Sequence, residues 1–372
     1  VNEEEWSGTM GVFRRVEILT DYTSKGTFLE ESEPRKIVIS LYYPDTDGLL
    51  ENNESEIKYM DLFRPCEQQA RAILQDIGMN MDLIDGLSTL ISERTFQQKS
   101  KRPYPVIIYS PALGLDRDMY IYNIQALVKQ EFIVVTVSAA YEAMFTVCPS
   151  GEFINQSEVM RTIQATDYSE LHHLISIRKK DIQYVLNYLY DLNAKDKDMM
   201  GSFDMDKVGI IGHSIGGATA VDLTMEDDRI KAAVLLDASM HLYFENEVKN
   251  NTVPLLVLRQ KASALESLSN ILQEKIANDF IKGQEKLYRN WNGYKSFLKI
   301  RSATHMSFSD MPLFEEDEIL YQRTCGTHNQ INELVAKFFQ EHLLDQGDAY
   351  STFISHNQSD FCVINGSGDE IL

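Results

Sequence analysis

One pentapeptide constrains this chain more than any other feature: Gly212-His213-Ser214-Ile215-Gly216, its sole Gly-x-Ser-x-Gly. Glycine and serine are common, so a chain of 372 residues yields about 0.1 such matches by chance, and the setting has to carry the inference. The β-branched run Val208, Ile210, Ile211 leads into the motif, and Ala218 to Leu223 continues from it as a helix. A strand entering a sharp turn that opens a helix lifts the serine hydroxyl clear of the backbone. A Cβ at Gly212 or Gly216 would collide with neighbouring main chain, and the new helix directs free N–H groups at the reacting oxygen.

The same alternation extends along the chain. Val12 to Leu19 and Arg35 to Tyr43 read as an antiparallel opening pair. Tyr104–Ser110, Phe132–Ser138, Lys207–Gly212, Ile230–Leu236, Val253–Leu258 and Phe297–Arg301 are short and apolar, as buried strands should be. Helical periodicity runs from about Ser169 to Asn193, Ala262 to Ile281 and Asn329 to Leu344. Strands alternating with helices predict an α/β fold, a mostly parallel central sheet with helices on both faces, in one domain spanning residues 1–345.

Two stretches exceed that plan. Residues 52–100 read as a helical insertion, with Ile57, Met60, Phe63, Ala70, Ile73, Leu74 and Ile77 on one amphipathic face. That face suits core packing, and it also suits a lid or a peripheral lipid-contact surface. Residues 141–168 form a long connection after the fourth strand, a candidate lid or substrate loop. The polar residues 346–372 are expected to form a loose extension.

Composition narrows the partners. The chain is 44% hydrophobic and 24% charged, as soluble globular proteins are, and carries 35 basic against 56 acidic side chains, a net charge of −21. Such a surface repels nucleic-acid phosphates and anionic membranes. The four cysteines, Cys66, Cys148, Cys325 and Cys362, show neither zinc spacing nor a disulfide framework, which favours a reducing, cytoplasmic setting. The first residue is Val1, so removal of an anchor or leader would instead imply a secreted or tethered protein. Five Asn-x-Ser/Thr sequons are taken as noise. His172 and His173 read as helix-surface residues rather than metal ligands, and no phosphate-cradling loop is seen; no metal or cofactor is expected.

A serine hydroxyl needs a base, and the base needs an acid to orient it. With the nucleophile in a strand–turn–helix elbow the chain order is serine, acid, histidine. His305 follows the last strand directly, on the same sheet edge as Ser214. His342 lies within a helix, and His328 and His356 follow no strand, which leaves His241 as the one competitor. Asp237 ends the strand Ala233–Leu236, whereas the next strand ends in Arg259-Gln260-Lys261, so the more usual acid position holds no carboxylate. An oxyanion hole needs two backbone N–H donors. Ile215 supplies one; the other falls in Ser110-Pro111-Ala112-Leu113-Gly114, where Pro111 has none to give and Leu113 is preferred to Ala112.

At these residues the sequence resembles the platelet-activating-factor acetylhydrolases of the plasma and intracellular type II kind and their bacterial relatives, with a bacterial member expected. Gly-His-Ser-Ile-Gly-Gly-Ala-Thr matches that family's elbow, Leu-Leu-Asp237-Ala its unusual acid position, and Ala303-Thr-His305-Met-Ser-Phe-Ser-Asp310 its histidine segment. The resemblance implies an α/β-hydrolase fold and calcium-independent hydrolysis of short or oxidised acyl esters, including the sn-2 acyl group of phospholipids. One departure stands out: the family's His-Gly-Leu-Gly loop reads Pro111-Ala112-Leu113-Gly114 here. A serine peptidase or acyltransferase would use the same residues. A non-catalytic binding protein is the third reading, opposed by the intact Ser214, Asp237 and His305. The oligomeric state is not legible.

Overall fold

The computed structural model describes residues 11–25, 34–44, 57–92, 102–243, 251–314, 317–357 and 361–371. Its strands are β1 (Val12–Lys25), β2 (Pro34–Pro44), β3 (Ile91–Ser92), β4 (Tyr104–Ser110), β5 (Ile133–Val137), β6 (Phe145–Val147), β7 (Phe153–Asn155), β8 (Phe203–His213), β9 (Ile230–Leu236), β10 (Leu255–Arg259), β11 (Lys295–Ile300) and β12 (Phe361–Val363). Its helices are α1 (Glu67–Asp76), α2 (Met81–Gly86), α3 (Ile121–Lys129), α4 (Glu158–Thr162), α5 (Tyr168–Lys195), α6 (Ile215–Glu226), α7 (Leu265–Ser269), α8 (Glu274–Asn290), α9 (Glu318–His342) and α10 (Ala349–His356).

Ten strands form one sheet in the order β12-β11-β10-β9-β8-β4-β5-β2-β1-β3, and β6 and β7 make a separate hairpin. The six strands from β11 to β5 run parallel, while β2 is antiparallel to both β1 and β5. Parallel strands are covered on both faces, so they need apolar residues at every position, and β4, β5 and β10 are buried throughout. One core packs α5, α6 and α8 against the sheet through residues such as Leu186, Val221 and Phe280. The other packs α1, α3 and α9 through residues such as Leu74, Leu127 and Phe339. This is the predicted architecture, that of an α/β-hydrolase, and it sends β8, β9 and β11 to one sheet edge.

Three expectations are corrected. The stretch from Ala262 to Ile281 is not one helix: the chain turns between α7 and α8, and Ile271 and Leu272 line a cavity there instead of extending an apolar stripe. The apolar face of 57–77 is likewise broken. Pro65 sits in its middle and no helix continues through it, so a single 3₁₀ turn (Tyr59–Phe63) precedes α1. Ile57, Met60, Phe63, Ala70 and Leu74 are buried in the core, with Ile77 exposed. None of them lines the cavity that holds Ser214, which supports core packing over a lid; residues 52–56 and 93–100 of the insertion lie outside the described residues.

The third correction concerns the tail, which is no loose extension where it is described. Glu341 accepts the amides of Tyr350 and Ser351 and anchors α10, and the Tyr350 hydroxyl lies 2.7 Å from Ser296 Oγ. β12 then pairs antiparallel with β11, burying Phe361 and covering an edge that would otherwise stand open. A few apolar anchors in a polar segment suffice for this.

Candidate active site

Ser214 stands between β8 and α6 with φ 56° and ψ −119°, a backbone conformation that few side chains adopt. It survives because the turn cannot relax. A Cβ on Gly212 would overlap the carbonyl of Gly216, and one on Gly216 would overlap the carbonyls of Ser110 and Pro111. Both glycines let α6 start hard against the end of β4.

Asp237 follows β9 directly, also at positive φ (42°), and is buried. His305 opens a short 3₁₀ turn after β11 and is half-exposed. The two meet: His305 Nδ1 lies 2.6 Å from Asp237 Oδ2. The same carboxylate oxygen accepts from Gln260 Nε2 at 2.9 Å, and Oδ1 accepts the Gln260 amide at 3.3 Å and pairs with Arg259 Nη1 at 2.5 Å. Burial alone would raise this carboxyl. The charge of Arg259 and the hydrogen bond from His305 outweigh it and hold the group down at about 2.

Ser214 Oγ makes no hydrogen bond to the His305 ring; its neighbour is Ser239 Oγ at 3.4 Å. Ser214, Asp237 and His305 nonetheless open into one cavity of about 660 Å³, whose walls are mostly apolar and include Leu171, Leu242, Leu272, Phe280 and Met306. Ile163, Gln164 and Ala165, from the connection after β7, line one side of it. His241, the competing histidine, also lines the cavity but lies beside Tyr168 and Phe280, and among the described residues no carboxylate orients its ring by a hydrogen bond. Burial pushes it down to about 4.

The two expected oxyanion donors, Leu113 and Ile215, both line this cavity. Ala112, the second choice, is excluded by its own hydrogen bond: its amide donates to the Tyr120 hydroxyl at 2.8 Å. Neither the Leu113 nor the Ile215 amide has an acceptor among the described residues. The loop is held from below by Arg178, fully buried on α5, whose Nη1 donates to the Pro111 carbonyl at 2.6 Å and whose Nε donates to Glu142 at 2.9 Å.

Sequence reasoning did not find the support beneath His305. Because Tyr120 accepts from Ala112, its own proton faces His213 Nδ1 at 3.1 Å, which leaves His213 Nε2–H to donate to the His305 carbonyl at 3.0 Å. Burial pushes His213 down to about 3, so this relay stays neutral and its direction fixed. It ties the loop after β4, the elbow and His305 into one unit. Tyr120 follows no motif or period in the sequence, so only the fold reveals it.

Comparisons with known proteins place the chain in a family. The profile of the family described as "Platelet-activating factor acetylhydrolase, isoform II" matches residues 27–341. A platelet-activating factor acetylhydrolase of Cavia porcellus is 26% identical over 79% of this chain and 66% of its own length. One of Bos taurus is 25% identical over 92% of this chain and 78% of its own. The chain thus spans about two thirds of the length of the guinea-pig relative. Among solved structures, a ferulic acid esterase from Streptomyces cinnamoneus covers 91% of each chain with a TM-score of 0.68 at 22% identity, a likeness of fold.

Proposed function

This chain belongs to the platelet-activating factor acetylhydrolase isoform II family, and from that premise we propose that it is a serine esterase that cleaves short-acyl carboxylic esters, the sn-2 acyl group of phospholipids among them. The observation that carries the reading is the 2.6 Å pair of His305 and Asp237, opening with Ser214 into one largely apolar cavity.

In this reading His305 Nε2 takes the Ser214 proton as Oγ attacks the acyl carbonyl. The negative oxygen of the tetrahedral intermediate is held by the amides of Leu113 and Ile215. His305 returns the proton to the leaving alcohol, and an acyl-serine remains. Water, deprotonated by the same imidazole, then attacks the acyl group and frees Ser214. Asp237 stays ionised throughout and keeps the Nδ1–H tautomer of His305 in place. No step calls for a metal, so EDTA should leave the rate unchanged.

The apolar walls favour an uncharged acyl or alkyl portion, and the short-acyl preference follows from membership of the family. A series of p-nitrophenyl esters of increasing acyl length, run beside a phospholipid with a short sn-2 chain, tests the reading. Highest kcat/KM at two to four carbons and turnover of the phospholipid are expected; a clear preference for long acyl chains would overturn the substrate class.

A further inference from the structure

The end of β10 is where an acid would more usually stand, and Arg259 and Gln260 occupy it here. Both turn back onto Asp237. Gln260 meets the carboxylate with hydrogen bonds only, whereas Arg259 brings a full charge into a place with no access to water: its side chain is 0% exposed. Its guanidinium lies 4.1 Å from the ring centroid of Phe280, a residue of the cavity wall. A buried cation is costly unless it is paired, and Asp237 is its one ion-pair partner among the described residues. Two groups therefore compete for one carboxylate, Arg259 at Oδ1 and His305 at Oδ2.

We propose that Arg259 is a positioning residue for the reaction: acting through Asp237, it fixes the carboxylate against His305 and tempers the negative field that the imidazole feels. The proposal rests on the reading of Ser214, Asp237 and His305 as nucleophile, acid and base. An aspartate alone would stabilise the imidazolium strongly, in the resting enzyme as well as in the intermediate. A resting imidazolium cannot accept the Ser214 proton. With Arg259 on the other oxygen, the pair presents little net charge, and His305 is stabilised as a cation chiefly when the oxyanion forms beside it.

The other ionisable groups nearby do not replace this charge. The His213 ring, from β8, lies 4.8 Å from that of His305 and is kept neutral by burial. His241, after β9, is kept neutral in the same way, and faces Asp279 on α8 and His172 on α5. Lys261 lines the cavity but is exposed to water, which screens it.

The test is the pH dependence of kcat/KM on a short p-nitrophenyl ester for the wild type, R259M, R259Q and R259K, with folding checked by circular dichroism. Removing the charge in R259M and R259Q should move the acid limb up by about one pH unit. R259K keeps a charge but loses the planar fork, and should keep the wild-type acid limb even where kcat falls. Folded neutral variants with an unmoved acid limb would overturn the proposal, as would an equal shift in R259K, which would assign the effect to packing. Should both neutral variants fail to fold, R259K carries the test alone, and a moved limb there counts against the charge argument. Failure of the underlying reading looks different: the wild type itself would then not turn over the ester.

Discussion

Asp237 concentrates the energetics of the site in one side chain. It is buried, it carries a charge, and three hydrogen-bond partners and the Arg259 cation converge on its two oxygens. In D237N the geometry can persist, but the amide presents a donor where an acceptor is needed, favours the wrong His305 tautomer and strands Arg259 without a counter-charge. We expect kcat to fall about 10³- to 10⁴-fold, and stability at neutral pH to fall by about 3 kcal/mol. The sign with pH follows from a folded-state value of about 2, below that of an unfolded aspartate. The stabilisation is fully present above about pH 4 and is lost as pH falls toward 2. The gap in melting temperature between wild type and D237N should accordingly be widest at neutral pH and close below pH 4.

At the scale of elements, the elbow depends on how closely α6 approaches the end of β4. G216A would drive a methyl group into the carbonyls of Ser110 and Pro111, displacing both the helix start and the loop that carries Leu113. A loss of about 2–3 kcal/mol in stability is expected, with a far larger loss of kcat than of substrate affinity, measured by denaturant melts and steady-state kinetics. This junction was legible in the sequence because each part is local: a β-branched run, two glycines, a helix. Asp237 and His305 were legible for a related reason, since each ends or follows a strand that delivers it to the same edge. Arg259 was visible only as a missing carboxylate, and nothing local shows that it folds back onto Asp237. The His213–Tyr120 contact joins residues 93 positions apart, beyond the reach of any periodic pattern. The breaks at Pro65 and between α7 and α8 show the opposite failure, where an apolar stripe continues in sequence but not in the backbone.

Across the whole molecule, the C-terminal segment acts as part of the sheet. Tyr350, Phe361 and Ile364 are all at least 98% buried, and β12 covers β11, the strand that leads to His305. Truncation after Leu344 should therefore expose an apolar sheet edge and lower the melting temperature by about 10 °C, with aggregation on heating. Light scattering during a thermal melt reads both effects; a truncated chain as stable as the full one would show that the segment is dispensable.

The central claim is that Ser214 is a nucleophile activated by His305, and covalent capture tests it most directly. After treatment with a fluorophosphonate, intact mass and peptide mapping should give one adduct, on Ser214, absent from S214A and slowed strongly in H305A. No adduct on the wild type, or an adduct on the neighbouring Ser239 instead, would contradict the account.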